Sequence, residues 1–451
     1  MILGKYSIKG LFRQMSPSRK KIIANVLWAT FGKVVNLFGS LFVGILIARY
    51  LGPEQYGLMN YVISYVSIFT VIASFGLTNI EVREMSKRPD RRDDIMGTCF
   101  IIRIICALFG YLLIGTTLYV YRPDNYTCLL ILIYGITLFS NCFEIIRNYF
   151  TSIVQNEYVV KSEVTRTIIG ACIKIVLLYF NAPLICFIIA VAFDTVLVCS
   201  GYIISYQRKA GLISKWKYNK EFVPFFVKQS FPLLLSGAAV VIYQRIDQIM
   251  IGDMVDKESV GYFATAGKFL DIVLFIPMVL TQTVTPMLIN KKKKSSNKEY
   301  DEYAKQFSSI IIWIALILAA LLSLSSYYII RYTYGIAYLM SVPVLQILAW
   351  KTVCMALSTT SGQLIIIDGI QKWAVIRNLF GCLTCILLNY ILIPIWGIVG
   401  AAYVTIATVF VSGYLANVLI PSYRHIFKIQ SYALFEGWKE LRYFKSFLLC
   451  I

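Results

Sequence analysis

Charged side chains are scarce in this sequence, at 15% of 451 residues. A soluble chain of that size carries about 25%. Too little polar surface is present to coat a water-soluble globule. Histidine is rarer still: the single His425 stands in a basic segment with no visible partner for nucleophilic catalysis. No Walker-type glycine loop offers a nucleotide site, and no loop is long enough to hold a folded soluble domain. Enzymatic constellations are therefore excluded, and work must draw on an ion gradient, the membrane potential or a substrate gradient. The 11 cysteines lack metal spacing: Cys382 and Cys385 form a C-x-x-C without a second pair or a nearby histidine. Most lie in or beside apolar runs, where cysteine acts as a small hydrophobe. No metal and no cofactor is expected. The first 21 residues are polar and basic, without the short apolar core of a cleavable signal peptide.

What the chain has in abundance is apolar length, with 58% hydrophobic residues. Windows of about twenty residues mark membrane-spanning helices. Six spans are expected near 22–48, 56–79, 95–120, 128–150, 164–181 and 184–206. Six more follow near 223–251, 260–289, 306–330, 337–358, 375–393 and 398–420. The expected architecture is an all-α integral membrane protein. A basic N-terminus (1–21) precedes a first six-helix bundle (22–206), a linker (207–222) and a second six-helix bundle (223–420). A basic tail, 421–451, reads as cytoplasmic and interfacial, since its last apolar stretch is too short to span.

Orientation follows from lysine and arginine. The formal net charge is +20, from 43 basic against 23 acidic residues. One set of alternating loops, the termini included, holds 32 basic residues and the other set holds 4. That asymmetry puts both termini in the cytoplasm and supports an even count of twelve spans. The largest cluster, Lys291 to Lys294, joins spans eight and nine. Because these charges sit in short loops rather than on a folded face, nucleic acid is not an expected partner, whereas anionic membrane lipid is.

The halves resemble each other. Glu54 and Gly57 match Glu258 and Gly261 at a shift of 204, and Arg166, Gly170 and Tyr179 match Arg377, Gly381 and Tyr390 at 211. Each half has an even number of spans, so the repeats run parallel about an axis along the membrane normal, a known transporter plan.

Seven basic residues remain inside spans. Each costs about 2.5–3.5 kcal/mol near the bilayer centre, so they must snorkel, pair or face water. Lys228 and Lys268 lie within snorkelling reach of a span end. Lys33, Arg103, Lys174, Arg245 and Lys351 are the expected lining of a cationic cavity, with a structural ion pair as the competing reading for each. Asp247 and Asp271 are candidates for charge pairing or ion coupling, and Pro277 and Pro286 for a hinge in span eight. The excess of positive charge points to an anionic substrate.

The run A-R-Y-L-G-P-E-Q-Y-G at 48–57 resembles the end of the first helix in Wzx-type polysaccharide flippases. These belong to the multidrug/oligosaccharidyl-lipid/polysaccharide exporter superfamily. Y-Q-R-I-D-Q-I-M-I-G at 243–252, E-S-V-G-Y-F-A-T-A at 258–266, Pro277, Pro286 and I-P-I-W-G-I-V-G-A-A at 393–402 are similar to that family too. The resemblance implies two six-helix bundles around a central cavity in a bacterial cytoplasmic membrane. It implies alternating access that carries an undecaprenyl-diphosphate-linked oligosaccharide, such as an O-antigen or capsule unit, with polysaccharide polymerase machinery as a partner. Arg245 and Asp247 match its span-seven pattern; Lys33, Arg103, Lys174 and Lys351 rest on the cavity argument alone. A drug/cation antiporter of the same superfamily is the alternative, though it calls for acidic cavity residues. A polysaccharide ligase or polymerase is the enzymatic alternative, and the short external loops leave it no catalytic domain.

Overall fold

A computed structural model describes residues 17–443. Residues 1–16 of the basic N-terminus and Lys445 of the tail lie outside the described residues. All regular structure among the described residues is helical. In lipid this is dictated by the backbone, whose amides and carbonyls find partners within a helix when no water is at hand. The helices of eight or more residues begin with α1 (Pro17–Ser74), α2 (Thr78–Lys87), α3 (Arg92–Tyr121), α4 (Asn125–Gly135) and α5 (Glu144–Ser152). They continue with α6 (Asn156–Tyr179), α7 (Leu184–Lys209), α8 (Phe222–Met254), α9 (Lys257–Lys294) and α10 (Asn297–Thr333). The last are α11 (Ser341–Leu348), α12 (Lys351–Ile367), α13 (Ala374–Phe410) and α14 (Arg424–Phe435).

Nine stretches among the described residues are long and apolar enough to cross a membrane. Two of them are double. In α1 the backbone turns at Gly52 (φ 73°), just before Pro53, and in α13 it turns at Gly397 (φ 56°). Positive φ is open to glycine at no steric cost, so each glycine ends one span and starts the next. With those divisions, and with the more polar α6, the chain is compatible with the twelve expected spans. It is a multi-pass membrane protein.

The helices form two compact units. The first comprises Met1–Val43 as far as it is described, Ile72–Asp124 and Cys128–Leu234; the second comprises Gly44–Val71, Asn125–Thr127 and Leu235–Ile451 as far as it is described. The end of span one and the start of span two therefore pack with the second unit. The first unit is built on Leu77, Ile80, Met96, Cys99, Ile145, Phe150 and Phe226. The second has a core of Leu288, Phe307, Ile311, Leu357, Leu364 and Tyr423, into which α14 of the tail buries Ile426, Ile429 and Ala433.

Within each unit the same pair of spans is tied by polar groups. In the first, the Thr167 hydroxyl and the Arg166 guanidinium (3.1 Å) both donate to Asn36 Oδ1. In the second, Asn378 Nδ2 donates to Ser236 Oγ at 2.8 Å. Thr167 and Asn378 are related by the shift of 211 found in the sequence.

Candidate functional site

Two apolar stretches are interrupted part-way across. Asn125–Ser152 breaks between α4 and α5, and Ser341–Ile367 breaks between α11 and α12. They are span four of one half and span ten of the other. Interrupted spans at matching places in two repeats are the best general pointer to a transporter's binding site. Each break is followed by a charged residue at a helix start: Glu144 opens α5 and Lys351 opens α12. Their separation of 207 lies between the two repeat shifts.

Lys351 belongs to a cluster of charges in the second unit. It lies within electrostatic reach of Asp247, Asp271 and Arg245, and Lys268 lies within reach of Asp271 and Arg245. Three helices supply the group: α8 brings Arg245 and Asp247, α9 brings Lys268 and Asp271, and α12 brings Lys351. Three cations against two carboxylates leave a local excess of positive charge. Arg245 and Asp247 are two residues apart, so they project in different directions. Asp247 is buried at 3% exposure. Its Oδ1 accepts hydrogen bonds from Asn389 Nδ2 (2.5 Å) and Cys385 Sγ (3.3 Å), and its Oδ2 accepts from Thr405 Oγ1 (2.6 Å). Asn389 Oδ1 points into the same buried surroundings without a hydrogen-bond partner among the described residues.

The remaining expected cavity residues lie in the first unit. Arg103 is fully buried. Its Nε and a terminal nitrogen fork onto Glu81 at 2.8 and 3.0 Å, and Asn148 Nδ2 donates to the same carboxylate at 2.6 Å. Glu144 approaches Arg103 to 3.9 Å. Lys174 is buried in an ion pair with Asp194 across α6 and α7. Lys33 is exposed on α1. Next to Asp194 opens a cavity of about 280 Å³, lined also by Asn36, Glu144, Arg147, Glu163 and Arg166. Asp194 Oδ1 and Arg166 Nε are buried without a hydrogen-bond partner among the described residues. Pro277 is buried and Pro286 exposed, and α9 runs through both.

Of the five expected cations, the structure thus gathers Arg245 and Lys351, together with Asp247 and Asp271. It gives Arg103 and Lys174 private carboxylates. Glu81 falls between the expected spans 56–79 and 95–120, just before Arg83, Lys87 and Arg88. Asn389 and Thr405 are uncharged, so a search for buried charge passes over them. Their one signal is that each is a polar residue in an apolar run, Asn389 between Leu388 and Tyr390 and Thr405 between Val404 and Ile406.

Comparison with known proteins gives the following. A family model described as polysaccharide biosynthesis protein matches residues 22–291, and one described as MatE matches residues 232–391. No curated protein matches the chain. Among solved structures, the lipid II flippase MurJ in an inward closed conformation is similar at 17% identity and a TM-score of 0.68, covering 95% of this chain and 96% of that one. An inward-facing multidrug resistance MATE family transporter of the MOP superfamily is similar at 15% identity and a TM-score of 0.66, covering 90% and 99%. A MOP superfamily transporter from Pyrococcus furiosus, described as having a binding pocket of reverse polarity, is similar at 14% identity and a TM-score of 0.59, covering 97% and 99%. The fold is that of the MOP-superfamily transporters.

Proposed function

This chain belongs to the polysaccharide biosynthesis protein family, and we propose that it is a flippase for undecaprenyl-diphosphate-linked oligosaccharide units, serving surface polysaccharide synthesis in a bacterial cytoplasmic membrane. The observation that carries the reading is the cluster of Arg245, Lys268 and Lys351 beside the break in span ten. A diphosphate is a dianion that must leave water to cross. Cations held partly out of water by the protein offer it charge-assisted hydrogen bonds at a point where bulk solvent cannot. Arg245 supplies a planar fork suited to a phosphate edge, and Lys351 a mobile point charge. Alternating access moves the cargo, and Pro277, with its missing backbone hydrogen bond, is the proposed flexure of α9. Asp247 is the proposed coupling group. Binding of a proton or cation there changes the charge that Lys351 feels, and so its hold on the cargo. On this reading Arg103 and Lys174 hold the first unit together.

The MatE match and the MATE structures favour a second reading, a drug/cation antiporter. The local excess of positive charge argues against a cationic drug. The loop asymmetry supports a cytoplasmic position for both termini, and a polysaccharide polymerase is the proposed downstream partner.

Deletion of the gene, with the lipid-linked glycans then identified by mass, tests the reading. A cytoplasmic-leaflet glycan should accumulate, and its mass names the cargo. Unchanged surface polysaccharide without accumulation, together with altered drug susceptibility, would establish the antiporter instead. Lys351→Ala and Arg245→Ala should each cut export by about tenfold or more at normal protein level, the scale of one charged hydrogen bond. Undiminished export removes that residue from the site.

A further inference from the structure

The hairpin of α9 and α10 encloses a groove that the transport reading does not use. The two helices are joined through Ser295 and Ser296, and Ser296 caps α10. Glu299 N donates to its hydroxyl at 3.4 Å, and its own amide donates to Glu299 Oε2 at 3.2 Å. Above this turn lies a cavity of about 680 Å³, within the range of about 300–1,000 Å³ that holds small ligands. Its floor is apolar: Val284, Leu288, Phe307 and Ile310, all buried. Its mouth is charged with opposite signs on opposite walls, Lys291 and Lys294 on α9 and Glu299 and Glu302 on α10.

Each wall repeats its charge three residues on, a rise of about 4.5 Å along the helix. Opposite charges on facing walls of one groove commonly close into salt bridges. Here none of the four pairs with another among the described residues. Lys291 Nζ rests 4.0 Å from the centre of the Tyr303 ring, Glu299 is taken up by the cap, and Lys294 and Glu302 face the groove without an ion pair. A ligand that completes this arrangement carries an anion and a hydrogen-bonding cation at one end and a hydrocarbon at the other.

We propose that the groove binds a phospholipid with a phosphoethanolamine headgroup. The phosphate lies on Lys294 and Lys291, the primary ammonium on Glu302 and Glu299, and the start of an acyl chain on Val284, Leu288 and Phe307. The position suits this, since the lysine run ends an apolar helix, where a leaflet's headgroups begin. The acidic wall repels a purely anionic head, and a quaternary ammonium lacks the N–H groups that a carboxylate accepts.

The test is native mass spectrometry of the purified full-length protein with palmitoyl-oleoyl phosphatidylethanolamine, phosphatidylglycerol or phosphatidylcholine added at equal ratio. The wild type should retain phosphatidylethanolamine about tenfold over the other two. Glu302→Lys, on an exposed side chain outside the cap, should reverse the preference toward phosphatidylglycerol. Lys298→Gln, on a residue outside the groove, should leave retention unchanged. Thermal unfolding of each variant without lipid shows that the fold is kept. Equal retention of phosphatidylglycerol by the wild type overturns the proposal. So does a phosphatidylethanolamine preference that survives Glu302→Lys in a folded protein.

Discussion

Gly57 and Gly261 lie against each other's helices in a reciprocal contact. A Cβ on Gly57 would stand 1.7 Å from the Lys257 carbonyl oxygen, and a Cβ on Gly261 would stand 2.1 Å from that of Pro53. One shift of 204 relates Gly57 to Gly261 and Pro53 to Lys257. The repeat noticed in the sequence is therefore also a local pseudo-symmetry in space, with the same two positions meeting in both directions. Around it Tyr61 OH donates to Asp253 Oδ1 at 2.7 Å, and Ser64 Oγ donates to Gln248 Oε1 at 2.6 Å. All of these residues lie in the second unit.

Gly57→Ala and Gly261→Ala should each destabilise the protein by about 3 kcal/mol or more, the upper end of overpacking costs, because the obstruction is backbone and cannot rotate away. Gly267→Ala in α9 meets nothing within 4 Å. It should be neutral or stabilise by up to about 1 kcal/mol through helix propensity. Unfolding of the purified variants, followed by tryptophan fluorescence, checks the contrast. Equal midpoints for Gly57→Ala and Gly267→Ala would refute it.

Removing one partner of the buried Arg103–Glu81 pair leaves the other charged and uncompensated. Arg103→Ala should then cost about 3–5 kcal/mol, the range for broken buried pairs, and Glu81→Ala a similar amount. Export should fall only in proportion to folded protein. Export lost at full protein level would place Arg103 on the cargo instead.

This pair marks where the sequence becomes hard to read. The spans, their alternation and the repeat are legible because hydropathy and loop charge are local, additive signals. So is the excess of positive charge inside the spans, since each cation left there needs a reason to be there. Partnerships are not local. Glu81 lies 22 residues from Arg103 and 67 from Asn148, which donate to it, and no spacing rule connects them. The breaks at 136–143 and 349–350 were hidden for another reason. Ala349 and Trp350 are as apolar as their surroundings, and Thr137, Ser140 and Asn141 are diluted among apolar neighbours, so a hydropathy window of about twenty residues passes over a helix that stops and restarts.

Asp368 sits in the turn after α12, outside the apolar stretches that flank it. His425 Nε2 of the tail contacts its Oδ2 at 2.8 Å, and the Lys292 ammonium contacts its Oδ1. Burial pushes its carboxyl up, yet the hydrogen bonds from His425 and Lys292 outweigh it and hold the carboxyl below its usual range. A depressed carboxyl contributes stability that is complete above the unfolded value of about 3.9 and is lost as pH falls through the folded one. Asp368→Asn should lower the unfolding midpoint at pH 6, by an amount that shrinks as pH falls below about 3.9. A midpoint difference that does not shrink on acidification would mean that the carboxylate charge is not what ties α14 to this turn.

Gln430 ties the tail into the core of the second unit. Its side chain is fully buried. Nε2 donates to the carbonyls of Leu357 (2.8 Å) and Gly413 (3.0 Å), and Oε1 accepts from Asn417 Nδ2 at 2.8 Å. Gly413 lies in a π-helical turn, Val411–Leu415, where the widened hydrogen-bond pattern leaves carbonyls in need of other donors. The last span thus completes its backbone with a side chain from α14. Gln430→Leu keeps the volume and removes three hydrogen bonds, although Asn417 and Ser361 still donate to the Gly413 carbonyl and Thr360 to that of Leu357. At about 0.5–1.5 kcal/mol net for a hydrogen bond, the loss should be about 1–3 kcal/mol. Gln430→Glu restores the acceptor for Asn417 but brings a carboxylate against two carbonyl oxygens, and should be no better than leucine. If either variant unfolds within a degree of wild type, Gln430 is not needed to satisfy the π-turn.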